Sequence, residues 1–285
     1  MKTQNLLFGM LVKRMEAESL RWLEKSAFQI RSAPEERLLY ATYSAAIRYS
    51  GKGPLHPSES ELLQAADLVP GWDPGDWTLD QAARIALLLS LPATAKSARW
   101  MDAIYQTSDL GEALALMKAL PLLPLPAEHL ERARMGARSN VKSQFEAVAV
   151  RNPFPARHFD EAAWNQLVSK AIFVETPLRA ITGLDERGNR ALNRILTDLV
   201  RERRAAGRTF DPWLYRCIAV SADGAELDLL ESLLESGSPL EREAALGGLA
   251  RNPSPRAALM ARDASTSQPA TPDSRPIMEH PSHVR

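Results

Sequence analysis

Two tryptophans and two opposite charges form the most unusual group of side chains in the sequence. Trp72 and Trp77 lie in a Gly/Pro-rich part of residues 70–91, which read PGWDPGDWTLDQAARIALLLSL. Asp80 and Arg84 follow at helical spacing, so both fall on one side of a helix. Aromatic walls with a charged floor could bind an anionic or ring-shaped ligand. The sequence favours the structural alternative, a buried ion pair with the indoles as packing, because burying an unpaired arginine is costly.

A second group of candidate side chains lies between Asn140 and Lys170. His158 with Asp160 or Glu161 could form a proton-transfer pair or supply two metal ligands. The structural alternative is again favoured, because Asp160 is already explained as a helix N-cap and no other His or Cys stands in a metal-binding motif. The candidate ligand-binding residues of the two groups are Trp72, Trp77, Asp80, Arg84, Asn140, His158, Trp164 and Asn165.

A third group combines the segment GLDERGN at residues 183–189 with the basic segment RERRAAGR at residues 201–208. Its arginines could bind phosphate. More often such a cluster is the charged end of an exposed helix, and Gly207 is a typical C-terminal stop for that helix. We therefore expect a structural role for most of these arginines.

No set of residues matches a known catalytic motif. The sequence contains no P-loop, no GxGxxG after a strand, and no HExxH, GxSxG, CxxC or DDxxD run. His280 and His283 stand in a polar tail without a third ligand, which makes a weak metal site. We predict no metal and no cofactor, assign no catalytic residue, and favour a binding protein over an enzyme.

The composition is that of an ordinary globular protein. The chain has 35 basic and 35 acidic residues and a net charge of zero, which argues against a general nucleic-acid binder because such proteins carry a basic excess. The single cysteine, Cys217, fits a reducing compartment. The apolar run Leu6–Val12 is too short to span a bilayer and precedes no cleavage site. We expect a cytoplasmic protein with no nucleic-acid partner and no membrane insertion.

Helical periodicity dominates the chain, which predicts an all-α protein with more than half of its residues in helices. Start signals support several helices, such as the capping box of Thr78 with Gln81 and the N-cap Asp160. The predicted helices cover residues 5–32 (with a break), 34–49, 58–67, 78–91, 95–106, 110–120, 127–151, 160–174, 189–206, 212–220, 224–236, 239–251 and 254–262.

The last three predicted helices resemble HEAT-type units. Residues 224–262 combine Leu and Ala at helical spacing with Ser-Pro turns, a pattern typical of helices that stack in pairs. No fixed period extends through the chain, so we predict irregular stacked helical hairpins, either a HEAT-like α-solenoid or a compact multi-helix array. One helical domain is expected over residues 1–262, followed by a disordered Pro/Ser-rich tail over residues 263–285.

The same segments resemble the EboA family of bacterial and plastid ebo gene clusters. The matching text is GWDPGDWTLDQAARIALLLSLP, SNVKSQFEAVAVRNPFPARHFDEAAWNQLVSKAIFV, GLDERGN and RERRAAGR. The resemblance covers residues 15–220, and WTLDQAAR and FDEAAWNQ are its most specific parts. It implies a place in a pathway that makes or exports a small secondary metabolite, and it transfers no site residues.

Two hypotheses of function follow. The first is a non-catalytic helical adaptor or carrier in an ebo-type pathway, whose partners are other ebo-cluster proteins or a small-molecule intermediate. The second is an enzyme of unrecognised type that acts on a small pathway metabolite. Its pocket would be lined by Trp72, Trp77, Arg84 and His158, with Asp80 or Lys170 as further candidates. The enzyme hypothesis requires these side chains to converge on one closed, roomy cavity.

Overall fold

The computed structural model describes residues 2–266, and over this range it contains sixteen α-helices and two short 3-10 helices. The α-helices are α1 (Lys2–Val12), α2 (Ala17–Ser32), α3 (Glu36–Ser50), α4 (Glu59–Leu68), α5 (Leu79–Leu88), α6 (Ala95–Thr107), α7 (Leu110–Ala119), α8 (Pro126–Arg138), α9 (Lys142–Ala149), α10 (Phe154–His158), α11 (Glu161–Phe173), α12 (Arg190–Ala205), α13 (Trp213–Ala219), α14 (Gly224–Ser236), α15 (Pro239–Leu249) and α16 (Pro255–Thr266), and the 3-10 helices are Leu120–Leu122 and Leu178–Ala180. Within the described residues, β structure is limited to two isolated bridges. The predicted all-α fold is confirmed.

The structure contains two breaks in predicted helices. The predicted break within residues 5–32 is found between α1 and α2. The prediction of a single helix over residues 127–151 was wrong, because α8 and α9 are separate elements. Lys170 donates to the carbonyls of Ala137 at 3.1 Å and Ser139 at 2.6 Å, which satisfies acceptors that the end of α8 leaves free. Local periodicity gives no signal of this interaction.

Two hydrophobic cores lie side by side, and α7 contributes side chains to both. Leu116 and Ala119 belong to the N-terminal core, which also contains Tyr43 of α3. Met117 belongs to the C-terminal core, together with Trp164 of α11. Neighbouring residues of a helix point in different directions, so this one helix is a shared wall that joins the two halves of the array.

Two corners with the same sequence pattern connect helices in the two halves. They read RNPFP at residues 151–155 and RNPSP at residues 251–255. In each, a buried asparagine amide donates to two main-chain carbonyls, and its oxygen accepts the N–H of the second residue after it, at 3.0 Å and 2.8 Å respectively. The carbonyls are those of Met117 and Ala147 for Asn152, at 3.1 and 3.0 Å, and those of Ala219 and Ala222 for Asn252, at 2.8 and 2.9 Å. A helix begins at Phe154, directly after the first asparagine-proline pair, and at Pro255, one residue after the second, so a similar device turns the chain twice.

A Gly-x-Asp loop is ion-paired to each corner. The two ion pairs are Asp73–Arg151, at 3.5 Å, and Asp185–Arg251, at 2.9 Å. The loop glycines, Gly71 and Gly183, have φ values of 83° and 90°, which other residues rarely adopt. A Cβ would lie 2.5 Å from Thr182 at the first position and 2.5 Å from Ala156 at the second. Both loops therefore require glycine for backbone conformation and for close packing.

The three predicted C-terminal helices are present as α14, α15 and α16. The last one continues to Thr266 rather than ending at Arg262, because extending an existing helix adds a hydrogen bond for each residue fixed. The rest of the predicted tail, including His280 and His283, lies outside the described residues.

Between residues 2 and 266, no helix combines the length and the apolar character that crossing a bilayer requires.

Candidate functional site

Trp72 and Trp77 lie inside the N-terminal core. They are 1% and 3% exposed, and their ring centroids are 5.8 Å apart with a tilt of 51°. Asp80 and Arg84 form the ion pair that their spacing predicted, and both side chains are buried. This geometry matches the structural alternative, while ligand binding by these four residues stays a prediction.

Further polar groups are buried close to this ion pair. Arg84 Nε donates to the Tyr43 carbonyl at 3.1 Å, and its guanidinium lies 5.5 Å from the centre of the Tyr43 ring. Arg132 bonds to Nδ1 of His129 at 2.6 Å, while Nε2 of that ring bonds to the Pro124 carbonyl at 3.0 Å. Burial lowers the pKa of His129 to about 4, so the ring is neutral at pH 7 and carries its proton on Nε2. These groups are bonded to one another and to the main chain.

The FDEAAWNQ and GLDERGN segments meet and satisfy each other's polar groups. Asn165 exchanges two amide hydrogen bonds with Asn189, at 2.8 Å and 3.2 Å. Arg187 lies 5.2 Å from the ring centre of the buried Trp164 and donates to two carbonyls in residues 156–159, at 2.6 Å and 3.0 Å. The candidates Trp164 and Asn165 therefore join α11 to the loop that contains Arg187 and Asn189.

The remaining candidates of the second group lie at the surface. His158 ends α10, and its exposed ring lies 4.6 Å from the ring of Phe154. Asn140 is exposed in the loop between α8 and α9. Asp160 accepts the N–H of Ala163 at 2.8 Å, so the predicted N-cap of α11 is confirmed. Neither His158 nor Asn140 joins the buried tryptophans.

The residues of the enzyme hypothesis lie in three different environments. Arg84 is inside the N-terminal core, His158 is at the exposed end of α10, and the amine of Lys170 on α11 is bonded at the C-terminal end of α8. Proton transfer requires the participating groups to lie within hydrogen-bonding reach of one substrate. The separation of these environments counts against an active site built from them.

A different part of the molecule contains a surface groove of ligand size. A cavity of about 670 Å³ opens where the end of α11, the second 3-10 helix and the α12–α13 connection meet. We call it the 178–211 groove. Its lining includes Ile172, Leu178, Arg179, Arg203, Phe210 and Asp211. Pockets for small molecules typically have volumes of about 300–1000 Å³ and mainly apolar walls with a few polar groups.

The walls of the groove are fixed by main-chain hydrogen bonds. Asp211 accepts the N–H of Leu178 at 3.3 Å and the N–H of Trp213 at 2.9 Å. One carboxylate thus ties the 3-10 helix on one side to the start of α13 on the other. Glu175 has a positive φ of 55°, and the buried Thr176 after it donates its N–H to the Ala171 carbonyl at 2.8 Å. This turn ends α11 and directs the chain along the groove.

Two arginines on the groove have no carboxylate partner within the described residues. Arg203 donates to the Thr209 carbonyl at 3.1 Å. Arg179 is exposed, and its guanidinium lies 5.9 Å from the ring centre of Trp213. Most donors of these two side chains are therefore open to solvent or to a bound molecule.

A smaller cavity of about 190 Å³ adjoins the groove. The two cavities share Arg179, Asp211 and Pro212, and the smaller one adds Trp213 and the exposed Leu240 of α15. The arginine therefore lines both cavities, one containing Phe210 and the other containing the Trp213 indole together with the exposed Glu243.

Sequence reasoning identified only one component of this groove. Arg203 was within the basic segment considered for phosphate, whereas Arg179, Phe210 and Trp213 were not singled out. Asp211 followed by Pro212 is a recognisable helix start, and that signal could have directed attention to this loop. No local pattern shows that it faces Arg179.

Residues 2–266 contain no group of three or more His, Cys, Asp or Glu side chains placed to hold a metal ion. Cys217 is buried, and burial raises the pKa of its thiol to about 12. A thiol with this pKa is not a nucleophile at pH 7, because the thiolate is the reactive form.

The fold and the groove define an all-helical array protein with a surface groove of small-molecule size. The sequence model of the family described as metabolite traffic protein EboA matches residues 3–219, which confirms the resemblance seen in the sequence. The chain belongs to the EboA family, and the 178–211 groove lies entirely within the matched residues. Searches of curated proteins and of solved structures found no match to the chain.

Proposed function

We propose that the protein is a non-catalytic helical adaptor or carrier in an ebo-type pathway of secondary-metabolite biosynthesis or export. The observation that carries this proposal is the 178–211 groove, a ligand-sized cavity within the residues that match a metabolite-traffic family. In this role the groove binds a small pathway intermediate, and the helical surface around it contacts another ebo-cluster protein in the cytoplasm.

The contents of the groove suit binding better than chemistry. Its charged side chains are two arginines and two acids, of which Asp211 is bonded to main-chain N–H groups. Arginine stays protonated in proteins and is a poor proton acceptor, whereas it binds carboxylates and phosphates well. A carrier needs an open site from which its ligand can leave, and an open groove provides one.

The proposal is tested by filling the groove without disturbing the core. Thr209 is exposed and lines the cavity, so Thr209→Trp places an indole in the binding space. Ala206→Trp is the matched control, because Ala206 is exposed on the same connection without lining the groove. In a strain that lacks the chromosomal gene, Thr209→Trp should lower the output of the pathway metabolite while Ala206→Trp restores it. Equal melting temperatures would show that both variants are folded.

Two results would contradict the proposal. Full pathway output with Thr209→Trp would show that the groove is not the working surface. The purified wild-type protein would also be incubated with an extract of cells that express the cluster, and the metabolites would be analysed by mass spectrometry. Conversion of one metabolite into another would favour the enzyme hypothesis. Retention of an unchanged metabolite, together with co-purification of another cluster protein, is the expected result.

A further inference from the structure

We infer that the 178–211 groove is specific for an amphiphilic anion, whose carboxylate or phosphate is bound by Arg179 and Arg203 and whose ring-sized apolar body lies against Leu178 and Phe210. This inference rests on the proposed binding role of the same groove and adds the chemical class of its ligand. It is carried by three features of the groove: free arginine donors, the different states of its two acids, and apolar walls on either side of the charge.

The first feature is the availability of the arginines. A guanidinium has five N–H donors in a planar fork that matches a carboxylate or a phosphate. Arg203 uses one nitrogen on the Thr209 carbonyl, and Arg179 has only its contact with the Trp213 ring within the described residues. By contrast, Arg216, which lies over the same Trp213 ring, donates through Nε and Nη2 to Asp185, at 2.8 Å and 2.6 Å. Among residues 2–266, neither Arg179 nor Arg203 is in an ion pair with a carboxylate.

The second feature is the different state of the two acids on the groove. Asp211 has a charge opposite to that of the arginines. Its carboxylate oxygens, however, accept hydrogen bonds from two main-chain N–H groups, which fix the side chain in the wall of the groove. Glu175 is exposed at the edge, and no contact of its carboxylate with an arginine is present among the described residues. A bound anion would therefore meet the arginines directly and would be repelled by Glu175, which makes this glutamate a sensitive probe of ligand charge.

The third feature is the apolar surface around the arginines. Ile172, Leu178 and Phe210 line the cavity of about 670 Å³. Beyond Arg179, the cavity of about 190 Å³ adds the apolar Trp213 and Leu240, together with the exposed Glu243. An inorganic ion would leave these surfaces exposed to water, whereas a ligand with an apolar body would cover them. The arrangement therefore favours an organic anion over free phosphate.

The test compares an aromatic acid with its neutral amide of similar shape, and adds two phosphates, one with an aromatic ring and one without. We would titrate the full chain with 2-naphthoate, with neutral 2-naphthamide, with 2-naphthyl phosphate and with inorganic phosphate, and follow binding by calorimetry and Trp fluorescence. The naphthoate or the naphthyl phosphate should bind at least about tenfold more tightly than the amide, since one charged hydrogen bond contributes enough to change affinity by that factor. Inorganic phosphate should bind most weakly.

Variants assign this selectivity to the groove. Arg179→Gln and Arg203→Gln should each weaken binding of the anionic probe by about tenfold and leave the amide unaffected. Arg201→Gln is the matched control, because Arg201 is exposed on the same helix as Arg203 and pairs with Asp198 at 3.7 Å. Glu175→Gln should tighten binding of the anion, because it removes a like charge from the edge of the groove.

Several outcomes would overturn the inference. Equal binding of the acid and the amide would show that charge is not recognised, and an equal loss with Arg201→Gln would reduce the effect to general electrostatics. Weaker anion binding by Glu175→Gln would show that this carboxylate does not repel the ligand, so the anion would not lie where the inference places it. Any of these results, found together with lost pathway output for Thr209→Trp, would remove the ligand class and leave the proposed function standing. Full output for Thr209→Trp would remove the function itself.

Discussion

At the scale of single residues, the protein is unusual because two arginines, one on α5 and one on α8, are buried. Arg84 is held by Asp80 and by the Tyr43 carbonyl, and Arg132 by Asp102 and His129. Taking a guanidinium out of water costs several kcal/mol unless it is paired and hydrogen-bonded. The partners come from several helices, so these charges make the core depend on one arrangement of its elements.

The Asp80–Arg84 pair gives the first prediction. Arg84→Met leaves the Asp80 carboxylate buried without a counter-charge and should destabilise the fold by about 3–5 kcal/mol. Adding Asp80→Asn should recover much of that loss, with a remainder because the bond to the Tyr43 carbonyl is also gone. Arg201→Met, at an exposed ion pair, should change stability by less than about 1 kcal/mol. Melting temperatures of the four proteins provide the measurement.

The same variants also decide between structure and ligand binding at this site. A stable Arg84→Met protein that no longer supports pathway output would show that Arg84 binds a ligand. A stable protein with full output would defeat both interpretations. The burial of both side chains leads us to expect unfolding instead.

At the scale of elements, interactions between loops and helix ends organise the array. The two RNPxP corners use the same asparagine hydrogen bonds, and each is ion-paired to a Gly-x-Asp loop. Buried main-chain groups need partners once a helix ends. An asparagine amide can bond both a preceding pair of carbonyls and a following N–H, which explains its place at each turn.

We predict that the two corner asparagines are equally important for stability. Asn152→Ala and Asn252→Ala each leave two carbonyls and one N–H without their partner, and each should cost about 2 kcal/mol or more. Asn140→Ala, at an exposed loop position, should change stability by no more than about 0.5 kcal/mol. Urea denaturation would measure all three. A negligible effect at Asn252 alone would show that the second corner is not an equivalent of the first.

The ion pairs between Glu61 of α4 and two basic residues directly after α1 should make stability depend on pH. Glu61 is buried and bonds to Arg14 at 2.6 Å and to Lys13 at 2.9 Å, and these bonds, that of Arg14 first, lower its pKa from 4.5 to about 2. A carboxylate whose pKa is lower in the folded chain stabilises it fully above the unfolded value, and this contribution is lost as pH falls towards the folded value. The stability advantage of wild type over Glu61→Gln should therefore be largest near pH 7 and shrink between about pH 4.5 and pH 2.

The matched control for this prediction is Glu24→Gln, at an exposed position on α2. Its melting temperature relative to wild type should stay nearly constant between pH 7 and pH 3. A Glu61→Gln difference that is also constant with pH would show that the ion pairs of Glu61 do not contribute to folding.

At the scale of the whole molecule, the folded unit extends past the end of the family match. The match ends at residue 219, at the last residue of α13. The C-terminal core continues through Leu230 and Leu249, and α15 packs closely on α13 because Gly248 allows its backbone to approach Arg216. A Cβ at Gly248 would lie 2.5 Å from the carbonyl oxygen of Arg216. The helices α14–α16 are therefore part of the structure that supports the groove.

This arrangement predicts opposite results for two truncations. Removing residues 266–285 should leave the melting temperature unchanged, because this segment has few large apolar residues to bury. Removing residues 224–285 uncovers buried side chains of α13, such as Leu214 and Ile218, and should lower the melting temperature by many degrees or cause aggregation. Equal stability of the two truncated chains would show that α14–α16 form a separate unit. A fall of several degrees for the shorter deletion would show that the segment after residue 265 docks on the fold.

The sequence by itself determined the features that depend on near neighbours in the chain. Helical spacing gave the all-α fold, the Asp80–Arg84 pair and the N-cap Asp160, because these interactions lie within a few residues of each other. Its motifs also identified the EboA family. HEAT-like repeats and the adaptor role stay predictions.

Only the tertiary structure decided where the groove lies and where α8 ends. Arg179 meets Trp213, and Lys170 meets the carbonyl of Ala137, across more than thirty positions of the chain. Such contacts depend on how loops cross and helices stack, and a single sequence contains no periodic signal for them. The burial of Trp72 and Trp77 also depends on tertiary contacts. The sequence pattern around an aromatic loop residue is the same whether its side chain packs in a core or lines a pocket.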